Sequence, residues 1–194
     1  MMTDYILAAV IAYLIGSIPS GLILGKLFWH TDLREHGSHN IGATNAWRTL
    51  GKGAGIAVFI ADSLKGQAGV ALGLVLAGTP LAAVLGGLFA IIGHSFSIFL
   101  GFHGGKGVAT SLGVLTMLMG DVTFIVFVVW FTIVYMTRYV SLGSVVAGFL
   151  TPILAALYGY PIEYVLFTVI AAILVIVRHR ENIKRLMNGT ENKI

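Results

Sequence analysis

The amino-acid sequence predicts an all-α integral membrane protein, folded as a single membrane-embedded domain over residues 1–194 with seven transmembrane helices. Of the 194 residues, 57% are hydrophobic and only 10% are charged, and the mean hydropathy is +0.93. Ordinary soluble domains are about 25% charged, and one globular core in so short a chain cannot hide this much apolar sequence. Lipid is therefore the expected solvent for most of the chain, and helices satisfy their own backbone hydrogen bonds there.

The apolar runs give the predicted spans, since a helix needs roughly 20 residues to cross a hydrocarbon core of about 30 Å. The first run contains Gly16, Pro19 and Gly21, which predicts a kink or break within it. A long run interrupted at Gly120 is interpreted as two short helices. The expected spans are Tyr5–Trp29, Ala54–Ala77, Leu81–Phe102, two within Gly104–Arg138, Leu142–Tyr158 and Ile162–Val177.

The distribution of basic residues predicts the orientation. With seven spans, all 12 Lys and Arg residues fall on or toward one side of the membrane. The connections on the other side hold Asp4 and the segments 78–80, 120–121 and 159–163, with no basic residue. Because cytoplasmic loops are enriched in Lys and Arg, the N-terminus is expected outside and the C-terminus in the cytoplasm. The net charge of +4 then indicates attraction to anionic lipid and requires no nucleic-acid partner.

The first polar cluster is the segment HGSHNIGATNAWR, residues 36–48. Ser38, Asn40, Thr44, Asn45 and Arg48 give it many hydrogen-bond donors for so apolar a chain. A short helix starting near Thr44 places Asn45 and Arg48 on one face, and an arginine binds phosphate bidentately. The alternative is a capped interfacial helix with a snorkelling arginine. The density of donors favours a binding function.

The second cluster, GFHGGKGVATS at residues 101–111, surrounds Lys106 with Gly104, Gly105 and Gly107. Unobstructed backbone N–H groups beside an ammonium are typical of a phosphate cradle. The spacing does not fit a Walker A loop, and a lysine that only sets topology is an equal alternative.

The third cluster is RHREN, residues 178–182, at the end of the last apolar run. His179 is a candidate to donate a hydrogen bond to a phosphate or to act as a base near neutral pH, and Asn182 lies one helical step away. A basic stop-transfer tail is an equal alternative. We expect the three clusters to meet on the cytoplasmic face of the membrane and to hold anionic phosphate groups there.

Charged and imidazole side chains also occur inside the predicted spans. Asp62 and Lys65 are spaced i, i+3, and pairing reduces the cost of charge at membrane depth, so a structural ion pair is favoured, with a substrate contact by Lys65 left open. His94 is interpreted as an interhelical hydrogen-bonding residue. The chain has no cysteine and no H-x-x-x-H pair, so no metal site and no cofactor are predicted.

Four motifs carry a family resemblance over the whole chain. They are YLIGSIPSGLILGK (residues 13–26), GSHNIGATNAWRTLGKGAG (37–55), GHSFSIFLGFHGGKGVAT (93–110) and RHRENIKR (178–185). In this order, on a seven-span scaffold, they resemble the bacterial PlsY family of membrane acyltransferases. The resemblance implies transfer of an acyl group from acyl phosphate to the 1-hydroxyl of sn-glycerol 3-phosphate, giving lysophosphatidate and inorganic phosphate. It also implies the bacterial cytoplasmic membrane, a site facing the cytoplasm, and a functional link to an acyl-phosphate-forming enzyme.

The resemblance also implies roles for individual residues. The residues expected to hold the phosphates and the glycerol, and to carry the catalysis, are Ser38, Arg48, Lys106, His179 and Asn182. The residues expected to bind the substrate or its phosphate are Asn40, Thr44, Asn45, Gly37, Gly42, Gly104, Gly105 and Gly107. Among them, Thr44 and Asn45 are also expected to order the loop, and the glycines to let the backbone approach the ligand. Possible supporting residues are Lys26, Asp62, Lys65 and His94.

Two other functions compete with an acyltransferase. A small membrane transporter or flippase for an organic phosphate would also use intramembrane charges and broken helices, although the predicted outer side offers no polar cluster. A purely structural subunit would leave the polar loops without a purpose. Release of inorganic phosphate from acyl phosphate in the presence of glycerol 3-phosphate separates the enzyme from both.

Overall fold

The computed structural model describes residues 2–194, and within that range the chain forms helices and turns with no strand. The helices are numbered in chain order. They are α1 (Met2–Ser17), α2 (Ser20–Trp29), α3 (Ala43–Leu50), α4 (Lys52–Ala77), α5 (Pro80–Ser95), α6 (Val108–Leu118), α7 (Gly120–Thr137), α8 (Val140–Leu157), α9 (Ile162–Arg178) and α10 (Arg180–Met187), with a 3₁₀ turn at Ile98–Leu100.

The described residues divide into two compact units, the first ending at Val114 and the second starting at Leu115. The single domain expected over residues 1–194 stays a prediction.

In the first unit, α1, α4 and α5 pack against one another through small residues. A Cβ atom at Gly16 would overlap the backbone of Ala90, and one at Gly69 would lie 2.5 Å from the carbonyl oxygen of Gly86. Such close backbone approach is the usual way in which helices associate in lipid. It brings the middle of α4, which carries Asp62 and Lys65, against the C-terminal end of α5, which carries His94.

The predicted break in the first apolar run is confirmed. The chain leaves the helix at Ile18 and Pro19, between α1 and α2, because proline has no N–H to continue the backbone ladder. The break exposes the carbonyl oxygen of Ile18, which accepts a hydrogen bond from Lys65 Nζ at 2.8 Å. The helix break at Pro19 thereby provides a carbonyl acceptor for the buried ammonium of Lys65.

The short helix α3 lies on α4 and closes a small apolar core. Leu33, Ala46, Ala54 and Val58 are buried there, with at most 1% of their surfaces exposed. The burial fixes both ends of the loop between α2 and α3, which carries the first polar cluster. The predicted helix start near Thr44 is confirmed, since α3 begins at Ala43.

In the second unit, α8 packs against both α7 and α9, and α10 contacts α8 and α9. The helices α9 and α10 meet at His179 with a bend of 59°. The bend places the third polar cluster at the junction of a long apolar helix and a short polar one.

Five stretches of the described residues are long and apolar enough to cross a membrane, and there are six if the bent pair α9 and α10 forms one span. The chain is therefore a multi-pass membrane protein. The predicted fourth span is the 11-residue α6, about 16 Å long at 1.5 Å per residue. Seven crossings and their orientation stay predictions. The helix of the third predicted span stops at Ser95 rather than Phe102, because Phe96 leaves helical geometry and the 3₁₀ turn follows.

Candidate functional site

Asn45 organises the loop between α2 and α3 (residues 30–42). Its side-chain Nδ2 donates to the carbonyl oxygens of Leu33 (3.0 Å), His36 (3.0 Å) and Asn40 (2.8 Å). Its Oδ1 accepts the backbone N–H of Ser38 at 2.9 Å, and the residue is 2% exposed. The Asn45 amide therefore holds the loop in place in this structure, and the phosphate-binding role expected of Asn45 stays a prediction.

Gly37 and Asn40 shape the same loop. Gly37 has φ = +61°, and a Cβ atom there would overlap Asn45 Oδ1, so glycine meets both the conformational and the spatial requirement. Asn40 Oδ1 accepts the N–H of Gly42 at 2.9 Å, an Asx turn that leads into α3. The backbone of Ser38 is held between these fixed points.

Helix α3 carries the cationic residue of the first cluster. Thr44 and Arg48 are spaced i, i+4 and share one helix face, and both side chains are half-buried. Asn45 points to the loop, three residues before Arg48. Asn45 therefore positions the loop, whereas Arg48 is the candidate phosphate ligand on this helix.

Lys26 takes part in an ion-pair network where α2 leads into the loop. Asp32 Oδ2 lies 2.7 Å from Arg34 Nη2 and 3.0 Å from Lys26 Nζ. Hydrogen bonds from the Arg34 side chain, with a smaller one from Lys26, hold the pKa of Asp32 well below its usual range. Lys26 is therefore placed as a support of the loop.

The second cluster forms a glycine loop, residues 104–107, seated on His94. The N–H of Gly105 donates to the carbonyl oxygen of His94 at 3.0 Å. Cβ atoms at Gly104 and Gly105 would overlap the His94 carbonyl oxygen and the imidazole Nε2, respectively. Lys106 is half-buried in this loop, and α6 starts directly after it at Val108.

Beneath the glycine loop, the predicted ion pair is present and includes a third member. Lys65 Nζ lies 2.8 Å from Asp62 Oδ1 and 3.2 Å from His94 Nδ1. Asp62, Lys65 and His94 are 2%, 6% and 4% exposed. The interhelical hydrogen bond expected of His94 is thus observed between α5 and Lys65 on α4.

The third cluster lies in the second unit at the bend between α9 and α10. His179 is buried, and its Nδ1 lies 2.8 Å from the carbonyl oxygen of Val175. Because a carbonyl only accepts, Nδ1 carries the proton, and Nε2 of the neutral ring is the basic atom. An unprotonated Nε2 can accept a proton, as a general base must.

Glu191 is a functional candidate that the sequence reasoning missed. Its Oε1 accepts from Asn182 Nδ2 at 2.6 Å and from Ser141 Oγ at 2.8 Å, and its Oε2 accepts from Arg185 Nε at 2.7 Å. Burial raises the pKa of Glu191, but these hydrogen bonds outweigh it and the net shift is downward. The available signal was an isolated carboxylate nine residues after Asn182 in a basic tail.

The structure therefore places the predicted catalytic and phosphate-binding residues in four locations. The first-unit residues lie in the loop before α3, on α3 itself and in the glycine loop. His179 and Asn182 lie in the second unit, at and just after the bend. Among the described residues, no group of three His, Asp or Glu side chains is arranged to hold a metal ion.

Comparison with known proteins agrees with these motifs. A glycerol-3-phosphate acyltransferase family model matches residues 6–189. The glycerol-3-phosphate acyltransferase of Carboxydothermus hydrogenoformans is 47% identical, with 97% of this chain and 96% of that protein aligned. That of Bacillus velezensis is 49% identical, over 97% and 96%.

Solved structures give the same result. The glycerol 3-phosphate form of PlsY, an integral membrane glycerol 3-phosphate acyltransferase, matches with a TM-score of 0.93 and 39% identity, over 98% of this chain and 95% of that one. The lysophosphatidic acid form matches with a TM-score of 0.90 and 38% identity, over the same shares. The family match over nearly the whole chain and these full-length similarities show that the chain belongs to the glycerol-3-phosphate acyltransferase family.

Proposed function

We propose that this protein transfers an acyl group from acyl phosphate to the 1-hydroxyl of sn-glycerol 3-phosphate, producing lysophosphatidate and inorganic phosphate. The observation that carries the proposal is membership of the family over residues 6–189, together with the glycine loop that holds Lys106. The related crystal structures are described as glycerol 3-phosphate and lysophosphatidic acid forms, which are one substrate and the product of this reaction.

The cationic residues are assigned to the phosphates. Lys106 presents an ammonium in the glycine loop, directly before the start of α6, and Arg48 presents a guanidinium on α3. These are the two cationic groups that suit phosphate oxygens. Ser38 lies in the loop that Asn45 holds, and its backbone N–H donates to Asn45 Oδ1, so the backbone that carries its hydroxyl is fixed. Charge neutralisation and positioning then supply most of the acceleration.

The chemical step is direct attack by the 1-hydroxyl on the acyl carbon. A carbon–oxygen bond to glycerol forms, the carbon–oxygen bond to phosphate breaks, and phosphate leaves with its electron pair. The hydroxyl proton passes to His179 Nε2 or to a phosphate oxygen of the donor. Asn182, oriented by Glu191, donates to a substrate oxygen. No cysteine is present, which argues against a thioester acyl-enzyme.

The proposal includes the membrane arrangement. Seven crossings with the N-terminus outside would place all three polar clusters on the cytoplasmic face of the bacterial inner membrane, which agrees with the positive-inside distribution of Lys and Arg. Acyl phosphate is a reactive mixed anhydride, so an enzyme that forms it must supply it.

Turnover of purified protein tests the proposal. In detergent, with palmitoyl phosphate and glycerol 3-phosphate, we expect equal amounts of lysophosphatidate and inorganic phosphate, none from palmitoyl-CoA, and unchanged activity in excess chelator. Lys106→Ala should abolish turnover, while Lys184→Ala, which removes an exposed lysine, should not. No turnover with intact binding of glycerol 3-phosphate would instead favour a transporter.

A further inference from the structure

The glycine loop needs a support that its own sequence does not provide. Three of its four residues are glycines, and glycine loses more conformational freedom on ordering than any other residue. A loop of this composition holds Lys106 in one place only if its backbone rests on something rigid. The structure identifies that support as His94, at the end of α5.

His94 contacts the loop at two points. Its carbonyl oxygen accepts the N–H of Gly105 at 3.0 Å. Its imidazole lies directly against the Cα atom of Gly105, since the three atoms that an added Cβ would meet first all belong to that ring. Residue 105 must therefore be glycine, because a Cβ atom there would collide with the imidazole. The imidazole also limits how closely the loop backbone approaches α5.

The imidazole is itself fixed by buried charge. An ammonium has no lone pair, so Lys65 Nζ must be the donor in its 3.2 Å contact with His94 Nδ1. The same ammonium donates to the carbonyl oxygen of Ile18 and pairs with Asp62 Oδ1, both at 2.8 Å. Lys65 thus donates hydrogen bonds to α5 and to the break after α1, and it forms an ion pair with Asp62 on its own helix.

We propose that the buried cluster of Asp62, Lys65 and His94 is the positioning device for the glycine loop and therefore for Lys106. This inference rests on the proposed function, in which Lys106 binds a substrate phosphate. In this role the three residues need no contact of their own with the substrate. They act through the loop, by holding the imidazole against which Gly105 is seated. The competing interpretation is a structural ion pair that only stabilises the packing of α4 and α5.

The first test removes both charges together, as Asp62→Asn with Lys65→Met, so that no unpaired charge is left buried. A positioning role predicts that the protein stays folded, that kcat/KM for glycerol 3-phosphate falls about 100-fold, and that the amide of Gly105 loses protection from hydrogen exchange. The matched control is Glu181→Gln with Lys184→Met, which removes the exposed i, i+3 pair of α10 and should leave kinetics and exchange unchanged.

The second test is a double-mutant cycle that does not depend on the charged pair. Gly105→Ala alone should lower kcat/KM about 100-fold, because its methyl group collides with the imidazole. In a His94→Ser background, which is itself impaired, the same methyl group meets no ring and should cost little more. If Gly105→Ala lowers kcat/KM by the same factor in the wild-type and His94→Ser backgrounds, the proposal is overturned. Gly53→Ala, a methyl group added in open space, is the control.

The outcomes separate this inference from the proposed function. If wild-type protein turns over no acyl phosphate, the function is wrong, and the exchange rate of a peptide covering residues 101–112 still tests the loop. Normal exchange protection in the Asp62→Asn, Lys65→Met protein would overturn the positioning role. So would a variant that loses thermal stability while its folded fraction keeps wild-type kinetics.

Discussion

At the scale of single residues, Asn45 and Ser38 show how a loop residue prepares a binding residue. A carboxylate in place of the Asn45 amide would face three carbonyl oxygens and lose every donor. We expect Asn45→Asp to destabilise the protein by about 1–3 kcal/mol for each buried partner left unpaired, and to raise KM for glycerol 3-phosphate. Thermal unfolding and steady-state kinetics measure the two effects. Asn188→Asp, the same change at an exposed position, should alter neither.

Glu191 makes a second prediction at the residue scale. Its carboxylate accepts three hydrogen bonds, and its pKa in the folded protein lies below the ordinary value of 4.5. A depressed folded pKa means that the stabilisation is fully present above pH 4.5 and disappears as the pH falls through the folded value. We expect Glu191→Gln to cost about 1.5–3 kcal/mol at neutral pH, to lower kcat by disturbing Asn182, and to flatten the acid limb of the stability profile.

A pH series of thermal unfolding, with the wild type and the variant in the same detergent, measures that acid limb. Glu181→Gln, at an exposed carboxylate, supplies the comparison and should follow the wild type. An acid limb of unchanged steepness in Glu191→Gln would show that Glu191 does not carry this linkage.

At the scale of elements, the close packing of α4 on α5 decides where Asp62, Lys65 and His94 meet. A Cβ atom at Gly86 would overlap the carbonyl oxygen of Gly69 on α4. We expect Gly86→Ala to force the two helices apart, costing about 1–3 kcal/mol as an overpacked contact and lowering activity by separating Lys65 from His94. Melting temperature and kcat measure this. Gly53→Ala should be neutral or slightly stabilising, since its methyl group meets no atom within 4 Å.

Helix boundaries were predictable where the chain itself carries the signal. Pro19 and its neighbouring glycines indicated the break between α1 and α2, and the i, i+3 spacing of Asp62 and Lys65 indicated their pairing. The end of α5 at Ser95 was not predictable, because the apolar run continues through the 3₁₀ turn and hydropathy does not distinguish a helix from an apolar turn. The hydropathy pattern indicates which residues are buried, whereas the backbone conformation at Phe96 depends on tertiary packing.

At the scale of the whole molecule, side-chain partners distant in sequence were the part that sequence reasoning missed. His94 lies 29 residues from Lys65, and Glu191 lies 50 from Ser141. No local pattern encodes either contact, since each depends on how separate helices pack. The residue types were informative, because carboxylates and imidazoles in so apolar a chain require partners, but the identity of each partner needed the fold.

The number of crossings is the remaining whole-molecule prediction, and α6 decides it. Its 11 residues cover about half of a 30 Å core, so a crossing there requires local thinning of the bilayer. The chain has no native cysteine, which makes single-cysteine labelling with a membrane-impermeant maleimide in spheroplasts unambiguous. With seven crossings, Gly120→Cys should be labelled from outside, like Met2→Cys, whereas His103→Cys should react only after permeabilisation, like Met187→Cys.

The two positions flank α6, and both are exposed, so a difference in labelling reports the membrane and not burial. Labelling of His103→Cys and Gly120→Cys from the same side would make α6 a re-entrant helix and reduce the crossings to six. The positive-inside rule gives the expected direction, because Lys106 follows His103 closely and the segment at Gly120 and Asp121 carries no basic residue. Reversed labelling of Met2→Cys and Met187→Cys would overturn the orientation and place the glycine loop on the outer face.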